Sequence, residues 1–356
     1  MNLSKFTNFL IGRSCLGNQR CVTRLFQNSL PAGEEKKTST LKGRDFLTLK
    51  DYSPKEIKDL LATAAEFKYL VKKENKKFDL LDGKNIGLIF EKKSTRTRLS
   101  METAISILGG YPIFLSPQDI HLGEGESLKD TAIVMSRMVD IIFGRVYAHS
   151  TLEDISRDAT VPVINGLSEL YHPLQSIADF LTLYEHFQSI KGLTLSWVGD
   201  GNNVVNSIMM TAPKLGMNLK IATPKGYEVD SRIKTFADGL STQYGTSIEY
   251  TTDAMKACEG TNVIVTDTWV SMGEEEQKEK KLKDFEGYQV NMKMGSVAAD
   301  NWCFLHCLPR KPYEVDHEVF YSDRSLVFDE AENRKWTAMA VLVKLLTNYQ
   351  TKMKFE

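Results

Sequence analysis

The sequence predicts an α/β protein made of two doubly wound parallel-sheet domains joined by long connecting helices. Three observations predict this fold class. Short apolar stretches alternate with segments of helical periodicity, which is typical of parallel sheets covered by helices. The alternation forms two series, starting near residues 84 and 192, and a long helical segment separates them. The chain has 356 residues, 42% of them apolar, which is enough for two buried cores.

Residues 1–36 are predicted to be a transit peptide for mitochondrial import. The first 33 residues combine four basic side chains with several Ser and Thr and contain no acidic residue, a composition typical of organellar targeting. The apolar run in this segment is too short for a secretory signal. A disordered basic tail is the alternative interpretation. The composition implies that the mature protein resides in the mitochondrial matrix.

The first domain is predicted to cover residues 37–171. Its opening helix, 54–73, has Ser53 as a cap and Pro54 at the first helical position, and both residues favour a helix start. Strands are then predicted within 84–92, 111–116, 140–146 and 161–167. Helices are predicted within 98–108, 127–138 and 151–158.

A connecting helix, 172–186, leads to the second domain, which is predicted to cover residues 187–327. Strands are predicted within 193–201, 218–224, 247–252 and 262–270, and helices within 203–216 and 232–244. The charged run at 274–284 is interpreted as a solvated helix face. A second connecting helix, 328–345, and a C-terminal helix, 346–356, return the chain to the first domain.

Composition excludes several classes of partner and cofactor. The formal net charge is -1, so no overall field attracts nucleic acid or an anionic membrane, and no apolar run approaches the ~18 residues of a membrane span. Beyond the leader the cysteines are odd in number, which favours a reducing compartment. Cys303, His306 and Cys307 lack a fourth partner for a metal site. We therefore expect no metal and no cofactor.

The segment STRTR, residues 94–98, is the first candidate site. It follows a predicted strand and opens a helix, where backbone N–H groups and the helix dipole favour an anion. Three hydroxyls and two arginines supply more donors than capping needs, so a phosphate site is favoured. The alternative is that Ser94 or Thr95 only caps the helix and that Arg96 only pairs with carboxylates. Arg98 faces elsewhere, and a structural ion pair is expected for it.

Two further residues are candidates on local grounds. Arg145 stands at the end of a predicted apolar strand, and open α/β sheets bind ligands at the carboxyl ends of their strands. His172 precedes Pro173 at a helix start, a position where a lone histidine is more often structural.

Four motifs together resemble the aspartate/ornithine transcarbamylase family, namely STRTR at 94–98, HPLQ at 172–175, DTWVSMG at 267–273 and HCLPR at 306–310. The resemblance extends from about Leu41 to Tyr349. The first two motifs are common to the family, whereas SMG and HCLPR are typical of the ornithine transcarbamylases, here of the vertebrate mitochondrial type. Aspartate transcarbamylases typically have His-Pro-Leu-Pro-Arg instead, so Cys307 favours ornithine.

The resemblance implies transfer of the carbamoyl group of carbamoyl phosphate to the side-chain amine of L-ornithine. The products are L-citrulline and phosphate, as in the urea cycle and in arginine synthesis. The first domain and the C-terminal helix would bind carbamoyl phosphate, and the second domain would bind ornithine. Transfer to another amine such as aspartate, or a catalytically silent member of the family, is the alternative.

The same resemblance implies site residues. Those for carbamoyl phosphate are Ser94, Thr95, Arg96, Thr97, His121, Arg145, His172, Gln175, Cys307, Leu308 and Arg334. Those for ornithine are Asn203, Asp267, Ser271 and Met272. Catalytic roles fall to Cys307, Arg145, His172 and Asp267. Cys307 is expected to accept the proton of the amine, which requires that cations such as Arg310 or Arg334 lower the pKa of its thiol.

Three smaller expectations follow from the resemblance. His121 would reach the phosphate in a neighbouring subunit, which implies a homotrimer with shared active sites. The polar segment after Gly273 would form a lid over ornithine. The family commonly has Asp-Thr-Ala-Arg-Val where this chain has DTAIV, and Ile133 in place of that arginine is expected to affect packing or assembly more than catalysis.

A nicotinamide-dependent dehydrogenase is the rival from another mechanistic class. The segment VGDGNNV, 198–204, follows a predicted strand and contains GxG, but Val204 replaces the third glycine of the fingerprint. A tight turn explains the two glycines more simply.

Overall fold

A computed structural model describes residues 41–116, 125–270 and 275–355. Its strands form two separate sheets with the orders β2–β1–β3–β4 and β7–β6–β5–β8–β9, whose bounds follow below. Every strand pairing within these sheets is parallel. The predicted fold class is therefore confirmed.

The first sheet and its helices lie within residues 54–187. The opening helix has a complete capping box, in which Ser53 and Glu56 satisfy each other's backbone N–H groups. The strands are β1 Asn85–Phe90, β2 Tyr111–Leu115, β3 Ile141–Arg145 and β4 Val163–Leu167. The helices are α1 Pro54–Glu74, α2 Thr95–Ile107, α3 Leu128–Ser136, α4 His149–Asp158 and α5 Pro173–Phe187.

The second sheet lies within residues 194–306. Its strands are β5 Thr194–Val198, β6 Asn218–Ala222, β7 Ile248–Thr251, β8 Val263–Thr266 and β9 Cys303–His306. Its helices are α6 Asn203–Thr211, α7 Ser231–Tyr244, α8 Ala254–Cys258, α9 Lys278–Asp284 and α10 Met292–Gly295, followed by α11 His317–Phe320 and α12 Val327–Leu346. Three short 3-10 helices cover Leu49–Asp51, Pro213–Leu215 and Glu275–Gln277.

Strand β9 was not predicted from the sequence. It is only four residues long, all of them buried, and it pairs with β8. The short run ends in a polar histidine, so neither its length nor its composition marks it as a strand. Its pairing partner is about 40 residues earlier in the chain, and such a distant partner leaves no local signal.

The two sheets are tied together by a layer of long helices. Helix α12 packs on α1, α2 and α5, and one apolar cluster runs through this layer into both sheets. In addition, the buried Lys214 ammonium donates three 2.7 Å hydrogen bonds to the carbonyls of Leu49, Lys50 and Tyr52. These contacts fix the 3-10 helix Leu49–Asp51 against the 3-10 helix that carries Lys214 in the second domain.

The expected C-terminal helix, 346–356, is wrong. Helix α12 ends at Leu346, and residues 347–355 are not helical. They still pack on the first domain, because the Phe355 ring lies 4.5 Å from that of Tyr184 and Thr351 donates to the Glu66 carboxylate. Tertiary contacts with α1 and α5 replace the hydrogen bonds of a helix in this segment.

Within the described ranges, no helix combines the length and the apolarity that a membrane crossing requires.

Candidate active site

The amino end of α2 is built as the sequence predicts. Ser94 is the N-cap, and its hydroxyl oxygen accepts a 3.3 Å hydrogen bond from the Thr97 N–H. That hydroxyl still has its own proton to donate. Arg96 is half-buried and contacts no carboxylate in the part of the chain that the structure describes. The helix start therefore keeps several donors for an anion.

Arg98 does not belong to this site. Its Nε donates to Glu102 Oε1 at 2.9 Å, and its guanidinium stacks 3.6 Å from the centre of the Phe114 ring. The predicted structural ion pair is confirmed.

Two buried guanidiniums converge on the Thr97 hydroxyl. Arg145, the last residue of β3, places Nη1 at 3.4 Å from Thr97 Oγ1, and Arg334 of α12 places Nη2 at 3.3 Å. Burial, and next the charge of Arg334, lowers the pKa of Arg145 to about 10. Burial lowers the pKa of Arg334 to about 10 as well. Like charges brought this close in a dry place favour an anionic ligand.

Both guanidiniums also retain unused donors. The Nε atoms of Arg145 and Arg334 are buried and have no hydrogen-bond partner among the described residues. Buried polar groups are nearly always satisfied, so unpaired donors on two guanidiniums that meet at one hydroxyl indicate a binding site.

His172 lies next to these arginines as a neutral imidazole. Burial, followed by the charges of Arg334 and Arg145, lowers the pKa of His172 well below 6.5. Its backbone N–H donates to Ser207 Oγ at 2.7 Å, while the side-chain Nδ1 has no partner in the described chain. A neutral histidine here carries one N–H that can be offered to a polar oxygen.

Gln175 extends the cluster one turn into α5. Its Oε1 accepts a 2.6 Å hydrogen bond from Arg334 Nη1. Its Nε2 donates to two buried carboxyls, Asp179 at 2.8 Å and Glu330 at 2.6 Å. Sequence reasoning missed both carboxyls. The only signal in the sequence was an aspartate four residues after Gln175, where helical spacing places the two side chains next to each other.

Cys307 faces the cluster from the end of β9, together with Asp267 from the end of β8. The thiol donates a 2.9 Å hydrogen bond to Asp267 Oδ1, and Asn202 donates to Oδ2 at 3.0 Å. Burial, and next the charge and the hydrogen bond of Asp267, raises the pKa of Cys307 well above 9.0. The thiol is therefore protonated in this state.

The expectation that Arg310 lowers the pKa of Cys307 is wrong. Arg310 points away, with Nε donating to the Val315 carbonyl and Nη1 3.2 Å from His317 Nδ1. Arg334 lies near the thiol, but burial and Asp267 outweigh it. Motif spacing alone does not show which way a side chain turns.

Leu308 is held by a buried pair that the sequence analysis did not identify. Its backbone is left-handed, with φ of 60°, and its N–H donates to His306 Nδ1 at 2.9 Å. Because Nδ1 accepts, the ring proton lies on Nε2, which is 3.2 Å from Glu314 Oε2. Both partners are fully buried. This pair fixes the turn that carries the Leu308 carbonyl.

The predicted ornithine residues are only partly described. Asp267 lies at the crevice. Asn203, at the start of α6, donates to the Ser168 carbonyl at 2.6 Å, and it is the preceding Asn202 that contacts Asp267. His121, Ser271 and Met272 lie outside the described residues, as does the beginning of the expected lid.

The charged run after residue 274 is not entirely a solvated face. Lys281 is buried and pairs with Asp200 at 2.8 Å, whereas the other charged side chains described in this run are exposed. Asp200 follows β5, so this ion pair anchors α9 beside the Asn202–Asp267 contact.

The glycines of the dehydrogenase motif have a packing role. Gly199 has a φ of 155°, and a Cβ at Gly201 would lie 2.6 Å from the backbone of Glu228. A close backbone approach therefore requires Gly201 without any dinucleotide. In the described ranges, no group of three or more His, Cys, Asp or Glu side chains has the geometry of a metal site.

Two family models match consecutive parts of this chain. Residues 44–185 match the carbamoyl-P binding domain of aspartate/ornithine carbamoyltransferase, and residues 191–345 match its Asp/Orn binding domain.

Individual proteins are similar over nearly the whole length. The mitochondrial ornithine carbamoyltransferase of Aquarana catesbeiana is 55% identical over 344 residues, which cover 97% of each chain. The mitochondrial ornithine transcarbamylase of Gallus gallus is 55% identical over 345 residues, which cover 95% of this chain and 98% of its own. The solved ornithine carbamoyltransferase from Pyrococcus furiosus is 44% identical, with a TM-score of 0.85 over 88% of this chain and all of its own.

Proposed function

This chain belongs to the aspartate/ornithine carbamoyltransferase family, and on that premise we propose that it transfers the carbamoyl group of carbamoyl phosphate to the side-chain amine of L-ornithine, giving L-citrulline and phosphate. One observation carries the proposal. Arg145 and Arg334, both buried, meet at the Thr97 hydroxyl beside a neutral His172. This arrangement suits an anion with a reactive carbonyl.

Phosphate would lie at the amino end of α2. The residues proposed to hold it are Ser94, Thr95, Arg96 and Thr97, with His121 from a neighbouring subunit. Backbone N–H groups, hydroxyls and the Arg96 guanidinium would neutralise the charge that grows on phosphate as the C–O bond breaks.

The carbonyl oxygen would lie between Arg145, His172 and Thr97. When the amine attacks the carbonyl carbon, this oxygen becomes an oxyanion. Donors already fixed by burial stabilise the oxyanion without reorganising, and this is usually the largest catalytic contribution. Gln175 Oε1 and the Leu308 carbonyl would accept hydrogen bonds from the carbamoyl NH2, while Arg334 completes the pocket.

Asp267 and Cys307 would orient the attacking amine, with Asn203, Ser271 and Met272 at the other end of ornithine. The amine must attack as the neutral form and lose a further proton after the C–N bond forms. In the observed state the thiol already donates to Asp267. Cys307 can accept a proton only after it has been deprotonated, and an approaching ornithine ammonium would favour the thiolate.

This protonation state leads to a pH prediction. Because the pKa of the Cys307 thiol is raised above 9.0, kcat/KM for ornithine should keep rising with pH past 9, toward the ~10.4 of an unperturbed amine. The pH profiles of the parent and of Cys307→Ser should be measured by citrulline formation. A parent profile that levels off near neutral pH, and a variant that lacks this plateau, would show a thiol of lowered pKa instead.

The test of the activity is citrulline formation from ornithine and carbamoyl phosphate, with aspartate and putrescine as competing amines. We expect ornithine to be strongly preferred. A folded, purified chain that forms no citrulline, or that prefers aspartate, would contradict the proposal.

We also propose a homotrimer with shared active sites. The edge strand β2, the helices α2 and α3, and the turn that follows α3 expose large apolar side chains, which suits a subunit interface. They are Leu99, Tyr111, Val134 and Met138, which are 60%, 67%, 45% and 71% exposed. Ile133, which departs from the family pattern, is half-buried on α3, so it is expected to affect this surface rather than the reaction.

Shared sites predict complementation between two inactive variants. Arg96→Ala and His121→Ala should each have little activity alone. In mixed trimers, about one site in three would combine an intact Arg96 with an intact His121 from the next subunit. Co-expression should therefore restore citrulline formation. A mixture no more active than the sum of its components would argue for sites formed within single subunits.

The expected matrix location is proposed on two grounds. The leader has the composition of an import signal, and relatives in two vertebrates are named as mitochondrial. The domain boundaries given above, with the transit peptide at 1–36, are part of the same proposal. Import of the full chain into isolated mitochondria should give a processed product that starts between about residues 30 and 40.

A further inference from the structure

We propose that Asp179 and Glu330, sharing one proton between them, are positioning residues that fix the Gln175 amide with its oxygen toward the carbamoyl group. The inference rests on the proposed function, since it assumes that Gln175 Oε1 accepts from the carbamoyl NH2. The two carboxyls are not among the residues that the motifs indicate.

The first observation is that both carboxyls are buried at one amide nitrogen. Asp179 and Glu330 are each 2% exposed, and each accepts from Gln175 Nε2. Neither has a salt bridge to a lysine or an arginine within the described ranges. Two anions at one nitrogen in a dry place repel strongly, so one of them takes up a proton.

The second observation is that one oxygen of Asp179 lacks a hydrogen-bond donor in the described part of the chain. Asp179 Oδ2 is buried without a hydrogen-bond partner among the described residues, and the two carboxyls are within hydrogen-bonding reach of each other. A proton on Glu330 is the donor that Asp179 lacks. Burial raises the pKa of Asp179 to about 7 and that of Glu330 well above 4.5, in keeping with one shared proton.

The titration of the pair depends on its surroundings as well. Other titratable or charged groups lie around the pair. They are Arg334 on α12, Cys303 and His306 on β9, Asp267 after β8 and Cys307 after β9. The protons therefore belong to the coupled pair rather than to either residue.

The arrangement determines which end of the Gln175 amide faces the site. With Nε2 on the carboxyls, Oε1 faces Arg334 and has a second lone pair for a carbamoyl N–H. The reversed amide would set Oε1 against two carboxyl oxygens and Nε2 against the Arg334 guanidinium. The contact of Nε2 with the guanidinium and the contact of Oε1 with the ionised carboxylate of the pair are both unfavourable, so the carboxyl pair favours an acceptor at this position.

The same carboxyl pair also holds the backbone near Leu308, whose carbonyl is the second proposed acceptor for the carbamoyl NH2 group. Glu330 Oε2 accepts a 2.9 Å hydrogen bond from the backbone N–H of His306. The next residues are Cys307 and Leu308, whose carbonyl is proposed to bind the same NH2 group. One proton-sharing pair thus aligns both acceptors of the carbamoyl nitrogen.

The shared proton can be detected without any assay of activity. Infrared spectra of the parent at pH 8 should contain a protonated-carboxyl stretching band that Asp179→Asn and Glu330→Gln both lose. Glu185→Gln is the control, since that carboxylate lies on the same helix and pairs with Lys68. A band absent from the parent, or present in both variants, would overturn the proposal.

The positioning role is tested by comparing two replacements of Asp179. An asparagine side chain keeps an acceptor for Gln175 and a donor for Glu330, so Asp179→Asn should leave KM for carbamoyl phosphate within about threefold of the parent. Leucine has a similar size and no acceptor, so Asp179→Leu should raise this KM about tenfold or more. Equal KM values for the two variants would overturn the role. The infrared test does not depend on citrulline formation, so it would still show whether the two carboxyls share a proton if the proposed activity were not found.

Discussion

Replacing Arg96 with alanine should lower kcat/KM for carbamoyl phosphate by about 10²–10³-fold or more, as expected when a donor to developing charge is lost. The same change should alter the free energy of unfolding by no more than about 0.5 kcal/mol. Arg96 is half-buried and contacts no carboxylate of the described chain, so its removal breaks no ion pair among the described residues. Steady-state kinetics and urea unfolding of the same preparations measure both effects.

Arg98→Ala is the matched control, two residues away on the same helix. It removes the exposed pair with Glu102, which is worth about 0.3–0.5 kcal/mol, and the stacking on Phe114, which is worth about 0.5–1 kcal/mol. It should leave kcat/KM nearly unchanged. Activity and stability that fall together in Arg96→Ala would mean that Arg96 is part of the scaffold.

Replacing Arg145 with methionine should abolish most activity and yet stabilise the fold. The guanidinium is buried beside Arg334, and burial and repulsion both act against its charge. An apolar side chain of similar length removes that cost, so the free energy of unfolding should rise by about 1–3 kcal/mol. The loss of an oxyanion donor should reduce kcat by about 10²–10³-fold.

Arg44→Met is the matched control, because Arg44 has a carboxylate partner whereas Arg145 lies beside another arginine. Arg44 pairs with Glu56 at 2.6 Å, so its replacement should destabilise slightly and leave kcat unchanged. Thermal unfolding and citrulline formation give both values. A destabilised Arg145→Met protein would show that local contacts of this guanidinium outweigh the cost of burying it.

Sequence reasoning succeeded where the signal is local. Ser53 and Pro54 mark the start of α1, and the apolar runs mark eight of the nine strands in the two sheets. The donors of residues 94–97 follow from their place at a helix start, and the Arg98–Glu102 pair follows from helical spacing. In each case the relevant neighbours lie within a few residues along the chain.

Sequence reasoning failed where the burial or the protonation state of a side chain depends on residues far away in the chain. Glu330 meets Asp179 from another helix, and the buried Lys281 of α9 pairs with Asp200, which follows β5 and lies 81 residues earlier in the chain. Burial, and next the charge and the hydrogen bond of Asp267, 40 residues away in the chain, raise the pKa of Cys307 and keep its thiol protonated. Protonation states and side-chain directions depend on tertiary packing, which periodicity does not encode.

A crystal structure of the protein soaked with carbamoyl phosphate would test the central claim most directly. We expect phosphate oxygens within hydrogen-bonding distance of the backbone N–H groups at 94–97 and of the Arg96 guanidinium. The carbonyl oxygen should lie between Arg145 and His172. A ligand bound elsewhere, with Arg96 paired to a protein carboxylate, would contradict the account.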